Sequence, residues 1–255
     1  MAYNTKYKHL VVSGCSFTAN DHHESISWGN MLGDLLGIQV HNLAVPSGSN
    51  EHISRSIMYY LSKNKMSPAD TLVIAMWSGI DRTSLIVSKE KYIQEPQHPT
   101  YNYNNFSEYY LIGGNMFGQT HELCKAYKEL LDDETYVLLS WFNMQNLSNY
   151  LNINKFEHRF TMLSNINWDL QNGWKPDACR RSSKSNFVKT LKTLEVSVDF
   201  SQWILTGARK SLHEVSIYND LQLECGHPSA EGHAKWMLDY LVPALIDERI
   251  ITHEL

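Results

Sequence analysis

Seven consecutive residues, Thr71-Leu-Val-Ile-Ala-Met-Trp77, constrain this chain more than any other feature. A strand with no polar position in its alternation has no face for water, so both of its faces must be covered. Two further runs fit the same sheet. His9-Leu-Val-Val-Ser-Gly14 is short, β-branched and closed by glycine, and Ile38-Gln-Val-His-Asn-Leu43 alternates before the turn at Pro46-Ser-Gly-Ser-Asn50. Between them the spacing becomes helical. Ile26, Trp28, Met31, Leu32, Leu35 and Leu36 share one face before Gly37, and Ile53, Ile57, Tyr60 and Leu61 share one within 51–63. Strands that alternate with helices of about a dozen residues predict βαβ units and an α/β fold: a parallel sheet with helices on both faces.

The regular pattern stops after Arg82. Residues 92–118 carry Tyr92, Tyr101, Tyr103, Phe106, Tyr109, Tyr110 and Phe117 among Pro, Asn and Gly. They read as an inserted excursion at about 83–118, either a lid or a loop packed on the body of the fold. Helical segments are expected at 120–131 and 134–151, a fourth strand at 156–163 and a closing helix at 229–245. The stretch 173–192 is locally basic and reads as a solvated loop. With no repeat, low-complexity tract or linker, the 255 residues are expected to form one domain, 1–255.

Composition narrows the function. Lys plus Arg is 22 against 27 Asp plus Glu, for a net charge of −5. A nucleic-acid binder normally carries a basic excess, so no nucleic-acid partner is expected. The apolar runs are strand-sized and Met1–Lys8 is polar, so neither a membrane span nor a signal peptide is expected. The expected location is the cytoplasm or a virion. Four cysteines without CxxC spacing and histidines without an HExxH pattern indicate no disulfide framework and no metal or other cofactor.

In an open parallel sheet, ligands bind beyond the carboxyl ends of the strands, so the turns after the strands carry the chemistry. After the first strand, Gly14-Cys15-Ser16-Phe17-Thr18 would display Ser16 where a backbone N–H also faces outward. After the second, Gly48 permits close backbone approach and Asn50 can cap a helix. After the third come Trp77, Ser78, Gly79, Ile80, Asp81 and Arg82. Near the C-terminal end, Glu224-Cys225-Gly226-His227-Pro228 sets a carboxylate three residues before a histidine, a spacing that can order an imidazole for general-base work.

In this order the four blocks resemble the SGNH/GDSL hydrolase superfamily, particularly its short phage and bacterial forms. Gly14-Cys15-Ser16-Phe17-Thr18 is similar to the family's Gly-Asp-Ser-x-Thr block. The string from Asn42 to Asn50 resembles its glycine block, and Glu224 to Pro228 resembles its Asp-x-x-His-Pro block. The resemblance implies a three-layer αβα sandwich with a flavodoxin-like sheet. It also implies Ser16 as nucleophile, His227 as base, Glu224 as orienting acid, and the N–H groups of Ser16 and Gly48 in the oxyanion hole. The family's third block supplies an asparagine donor; here Asp81 holds that position, with Asn50 as a substitute donor and Trp77, Ser78 and Arg82 as substrate contacts. The implied activity is a serine esterase that removes a short acyl group, acetyl first, from a carbohydrate or similar polar substrate. A non-catalytic SGNH-like binding or structural module, such as a virion component, is the alternative. The expected partner is a small-molecule or glycan ester, with self-association left open.

Overall fold

The computed structural model describes residues 3–19, 26–79, 82–88, 109–115, 130, 133–164, 200–205 and 209–253. Its centre is a four-stranded parallel sheet of β2 (His9–Ser13), β3 (Gln39–Asn42), β4 (Thr71–Trp77) and β7 (Glu157–Met162), in the spatial order β3-β2-β4-β7. A parallel bridge between Phe160 and Trp203 adds the start of a fifth position beyond β7. The order is that of a flavodoxin-like sheet, in which the sequence of strand addition reverses between β2 and β4. Around it lie β1 (Tyr3–Asn4), paired antiparallel with β8 (Thr252–His253), and the hairpin of β5 (Arg82–Ser88) and β6 (Tyr109–Asn115).

The strand side chains split by alternation into two cores. Leu10, Val12, Leu72, Ile74 and Met76 pack against Trp28 and Leu32 of α1 (Trp28–Leu36) and Leu212 and Val215 of α4 (Leu212–Tyr218). The same layer takes Trp236 of α5 (Ala230–Trp236) and Leu245 of α6 (Val242–Asp247); one π-helical turn, Met237–Leu241, joins α5 to α6. On the opposite face, Val11, Val73, Ala75, Trp77 and Phe160 meet Ile53 and Ile57 of α2 (Asn50–Lys63) and Trp141, Met144 and Leu147 of α3 (Asp133–Ile153). Every side chain of β4 is buried, as its unbroken apolar run requires. The expected α/β three-layer sandwich is therefore the fold observed.

Two differences from the expectations have physical causes. The excursion after Arg82 begins as a strand rather than a loop: Arg82–Ser88 pairs in register with Tyr109–Asn115, and the β-branched content of Thr83-Ser-Leu-Ile-Val87 suits that pairing. Ser84 fastens this hairpin to α2, since the Ser49 hydroxyl donates to Ser84 Oγ and Arg55 Nη2 donates to the Ser84 carbonyl. Helix α4, which the periodicity did not flag, starts at a capping box. Ser211 Oγ accepts the Glu214 N–H while the Glu214 carboxylate accepts the Ser211 N–H. The aromatic residues at 92–106 and 117, the basic stretch 173–192, Asp81, Cys124, Cys179 and nearly all of the helix expected at 120–131 lie outside the described residues. Among the described residues no helix is long and apolar enough to cross a membrane.

Candidate active site

Ser16 stands one turn beyond β2, at the point where the strand order reverses. Its turn is closed by the Cys15 carbonyl, which accepts the N–H groups of Thr18 and Ala19. Ser16 and Phe17 therefore occupy the opening positions of a helical turn, where N–H groups have no partner within the turn itself. Neither backbone N–H donates a hydrogen bond among the described residues. A β-carbon on Gly14 would lie 2.3 Å from Thr18 Oγ1, so only glycine lets the turn fold this tightly.

Two side chains fix that turn. Thr18, fully buried, accepts from Trp28 Nε1 at 3.2 Å. Asn42, at the end of β3, donates to the Thr18 carbonyl at 2.7 Å and accepts the Ala44 N–H through its own carbonyl. The sequence placed Thr18 and Asn42 inside motifs without giving them this role. Their positions, Thr18 in the turn beyond β2 and Asn42 at the end of the adjacent β3, were the available signal.

His227 arrives from the other end of the chain. Leu223 and His227 face each other across a three-residue hairpin loop: the Leu223 N–H donates to the His227 carbonyl, and the Gly226 N–H donates to the Leu223 carbonyl. Gly226 closes the loop at φ +80°, a left-handed conformation suited to a bulged turn. This hairpin presents the imidazole to Ser16, with Nε2 and Oγ 2.8 Å apart. Phe17 packs on the same ring at a centroid distance of 5.1 Å, and its other side meets His213 of α4 edge-on at 5.6 Å. Burial lowers the His213 pKa below the usual imidazole value.

The other candidate residues are not gathered here. Glu224 is exposed at the tip of the hairpin loop and makes no hydrogen bond or ion pair among the described residues. Asp220, seven residues before His227, is exposed as well. Gly48 donates its N–H to the Val45 carbonyl at 2.9 Å, closing a turn, so that donor is already committed. Its lack of a side chain serves a different end: a β-carbon there would approach the Gly14 carbonyl to 2.7 Å.

Asn50 is also engaged in full. Its Oδ1 accepts the Ser78 N–H, and its Nδ2 donates to Ser140 Oγ and the Ser78 carbonyl, tying α2, α3 and the end of β4 together. Trp77 is sealed in the core against Phe160, with ring centroids 5.4 Å apart, so no substrate reaches it. Ser78 is likewise buried, and its hydroxyl accepts from Arg82 Nη1 at 2.8 Å. Arg82 remains half-buried beside it. Of the described free cysteines, Cys15 is buried, whereas Cys225 is exposed next to Glu224 on the loop tip.

A family of unknown function, DUF6071, matches residues 16–172, which is well over half of the chain. The chain belongs to this family. The DUF6071 match begins at the candidate nucleophile and ends before the hairpin that carries His227. No curated protein matches the chain in sequence.

Solved structures with related architecture include the psychrotrophic esterase EstA from Pseudoalteromonas sp., at TM-score 0.49 and 9% identity, covering 95% of this chain and 98% of that one. TesA aligns at TM-score 0.45 and 12% identity, over 93% and 97% of the two chains. A catalytic mutant of Axe2, an acetylxylan esterase from Geobacillus stearothermophilus, aligns at TM-score 0.47 and 12% identity, over 93% and 94%. Similarities this distant do not decide what this DUF6071 member does.

Proposed function

We propose that this chain is a serine hydrolase of esters, of the SGNH/GDSL type, that removes a short acyl group such as acetyl from a carbohydrate or similar polar alcohol. The observation that carries the reading is the 2.8 Å contact between Ser16 Oγ and His227 Nε2 at the switch point of the sheet. A hydroxyl in hydrogen-bond reach of an imidazole is the arrangement of a nucleophile and its general base.

In the proposed cycle, Ser16 Oγ attacks the ester carbonyl carbon as His227 Nε2 takes the hydroxyl proton. Negative charge on the carbonyl oxygen is met by the uncommitted N–H groups of Ser16 and Phe17. The protonated His227 then gives its proton to the departing alcohol, leaving Ser16 acylated. Water, deprotonated by His227, attacks the acyl-serine and releases the acid. The tyrosine-rich sequence between 92 and 110 suits a polar ring-bearing substrate, since aromatic faces stack on sugar rings. Hydrolysis of an aryl acetate tests the reading: wild-type protein turns it over, and Ser16→Ala reduces turnover by at least about 10³. Equal rates for the two proteins would end it.

One set of observations favours the second reading, a non-catalytic module for binding or assembly. Glu224 lies in solvent, while the Gly48 N–H and the Asn50 amide are spent on the fold itself. Under that reading Ser16→Ala leaves every property of the protein intact, including partner binding.

A further inference from the structure

A second cluster lies away from Ser16, at the opposite end of the strands. His9 opens β2, and His41 sits on the neighbouring edge strand β3, in register with Val11. Residues 9 and 11 share a face, so His9, His41 and Val11 all look toward α2. There His41 Nε2 lies 3.2 Å from His9 Nδ1, and the Tyr60 hydroxyl of α2 lies 2.7 Å from His41 Nδ1. All three side chains are half-buried, so the cluster is ordered yet open to solvent.

From this geometry we propose that His9 Nδ1 and His41 Nε2 form a two-imidazole site for a borderline transition-metal ion such as Zn²⁺ or Cu²⁺, with Tyr60 holding His41 from behind. Two nitrogens at 2.0–2.1 Å from a tetrahedral ion stand about 3.3 Å apart, close to the separation present here. The protein therefore already spends the ordering that a chelating pair needs, and a small turn of each ring converges both lone pairs on one ion. The ligand chemistry is also correct, since imidazole nitrogens suit these borderline ions.

Tyr60 supplies what metal-binding imidazoles normally need, a partner on the other ring nitrogen. Without metal, its O–H can donate to His41 Nδ1 while His41 Nε2–H donates to His9. With metal, the hydroxyl oxygen accepts from Nδ1–H, which leaves Nε2 free to ligate. The hydroxyl hydrogen rotates, and Tyr60 keeps its place beside His41 Nδ1 as the rings turn. Among the described residues no group of three His, Cys, Asp or Glu side chains is placed to hold an ion, so water or an external ligand completes the coordination here. Imidazole favours copper, zinc and nickel over calcium or magnesium, and copper binds most tightly in that series. The ion would clip edge strand β3 to β2, independently of any chemistry at Ser16.

Titration calorimetry of untagged protein with ZnCl₂ and with CuCl₂ tests this. One equivalent should bind at micromolar affinity, tighter for Cu²⁺, with no heat from CaCl₂ or MgCl₂. His9→Gln and His41→Asn should each weaken binding by about tenfold or more, and Tyr60→Phe by about tenfold. Proton NMR of wild-type protein gives an arm that needs no variant: substoichiometric Cu²⁺ should broaden the imidazole signals of His9 and His41 first. Absence of binding, affinity unchanged in the His9→Gln/His41→Asn protein, or broadening centred on other histidines would overturn the proposal.

Discussion

Ser16 Oγ and His227 Nε2 meet at 2.8 Å across 211 residues of sequence. Two tight local devices make the encounter. One is the turn after β2, narrowed by Gly14 and held by Thr18 and Asn42; the other is the three-residue hairpin loop that ends at His227. Each is fixed by backbone hydrogen bonds, so the pair is ordered before any substrate arrives.

Glu224→Gln should barely matter. The carboxylate sits at an exposed loop tip without a hydrogen-bond partner among the described residues. Aryl-acetate kcat/KM is expected to change less than about threefold, whereas amide replacement of a working triad acid lowers kcat by about 10⁴. Steady-state kinetics on the purified variant distinguish the two.

Asn42→Ala removes the donor to the Thr18 carbonyl and the acceptor of the Ala44 N–H. Leaving such groups without partners costs about 1–3 kcal/mol, read by urea unfolding. The nucleophile turn would also loosen, so kcat should fall by about 10-fold or more with little change in KM.

Gly14→Ala is expected to be worse than a surface glycine substitution. The new methyl meets Thr18 Oγ1 and comes within 3.3 Å of the Met76 carbonyl, and both residues are fully buried. Overpacking of this kind costs about 1–3 kcal/mol. Thermal melting of Gly14→Ala beside Gly37→Ala, whose added carbon meets nothing within 4 Å, separates steric conflict from the backbone strain expected at Gly37.

Stability should decline on the acid side through His52. This fully buried side chain directs Nε2 to the Leu43 carbonyl, and desolvation pushes its pKa down to about 4 despite that hydrogen bond. The unfolded chain takes up the proton near pH 6.5 and the folded chain only near 4, so protons favour unfolding between these values. The full contribution is present above about pH 6.5, declines as pH falls, and is lost below about 4. It amounts to on the order of 3 kcal/mol. Burial shifts His41 and His213 in the same direction. Urea unfolding from pH 7 to 4 should show a flatter acid limb in His52→Gln than in wild type.

The sheet was readable because burial writes itself into a sequence by alternation: Leu10 and Val12 go to one core, Val11 to the other. Ser16 and His227 were readable because each sits in a turn directly attached to a regular element. Hydrogen-bond commitments were not. Nothing in the string Val45-Pro46-Ser47-Gly48 says that the Gly48 N–H turns back to Val45, or that Asn50 reaches Ser140, 90 positions away. The spacing of Glu224 and His227 permits a contact and does not tell that the Glu224 side chain is exposed at the loop tip. Two overlooked features did leave marks, the Ser211–Glu214 capping box and the β-branched run that became β5.

The most direct measurement of the central claim is peptide mapping of the protein after exposure to a fluorophosphonate. A single adduct on Ser16 is expected, formed rapidly in wild-type protein, absent in Ser16→Ala and slowed by about 10³ or more in His227→Gln. No adduct on the wild-type protein, or an adduct whose rate ignores His227, would contradict a nucleophile–base pair at the switch point of this sheet.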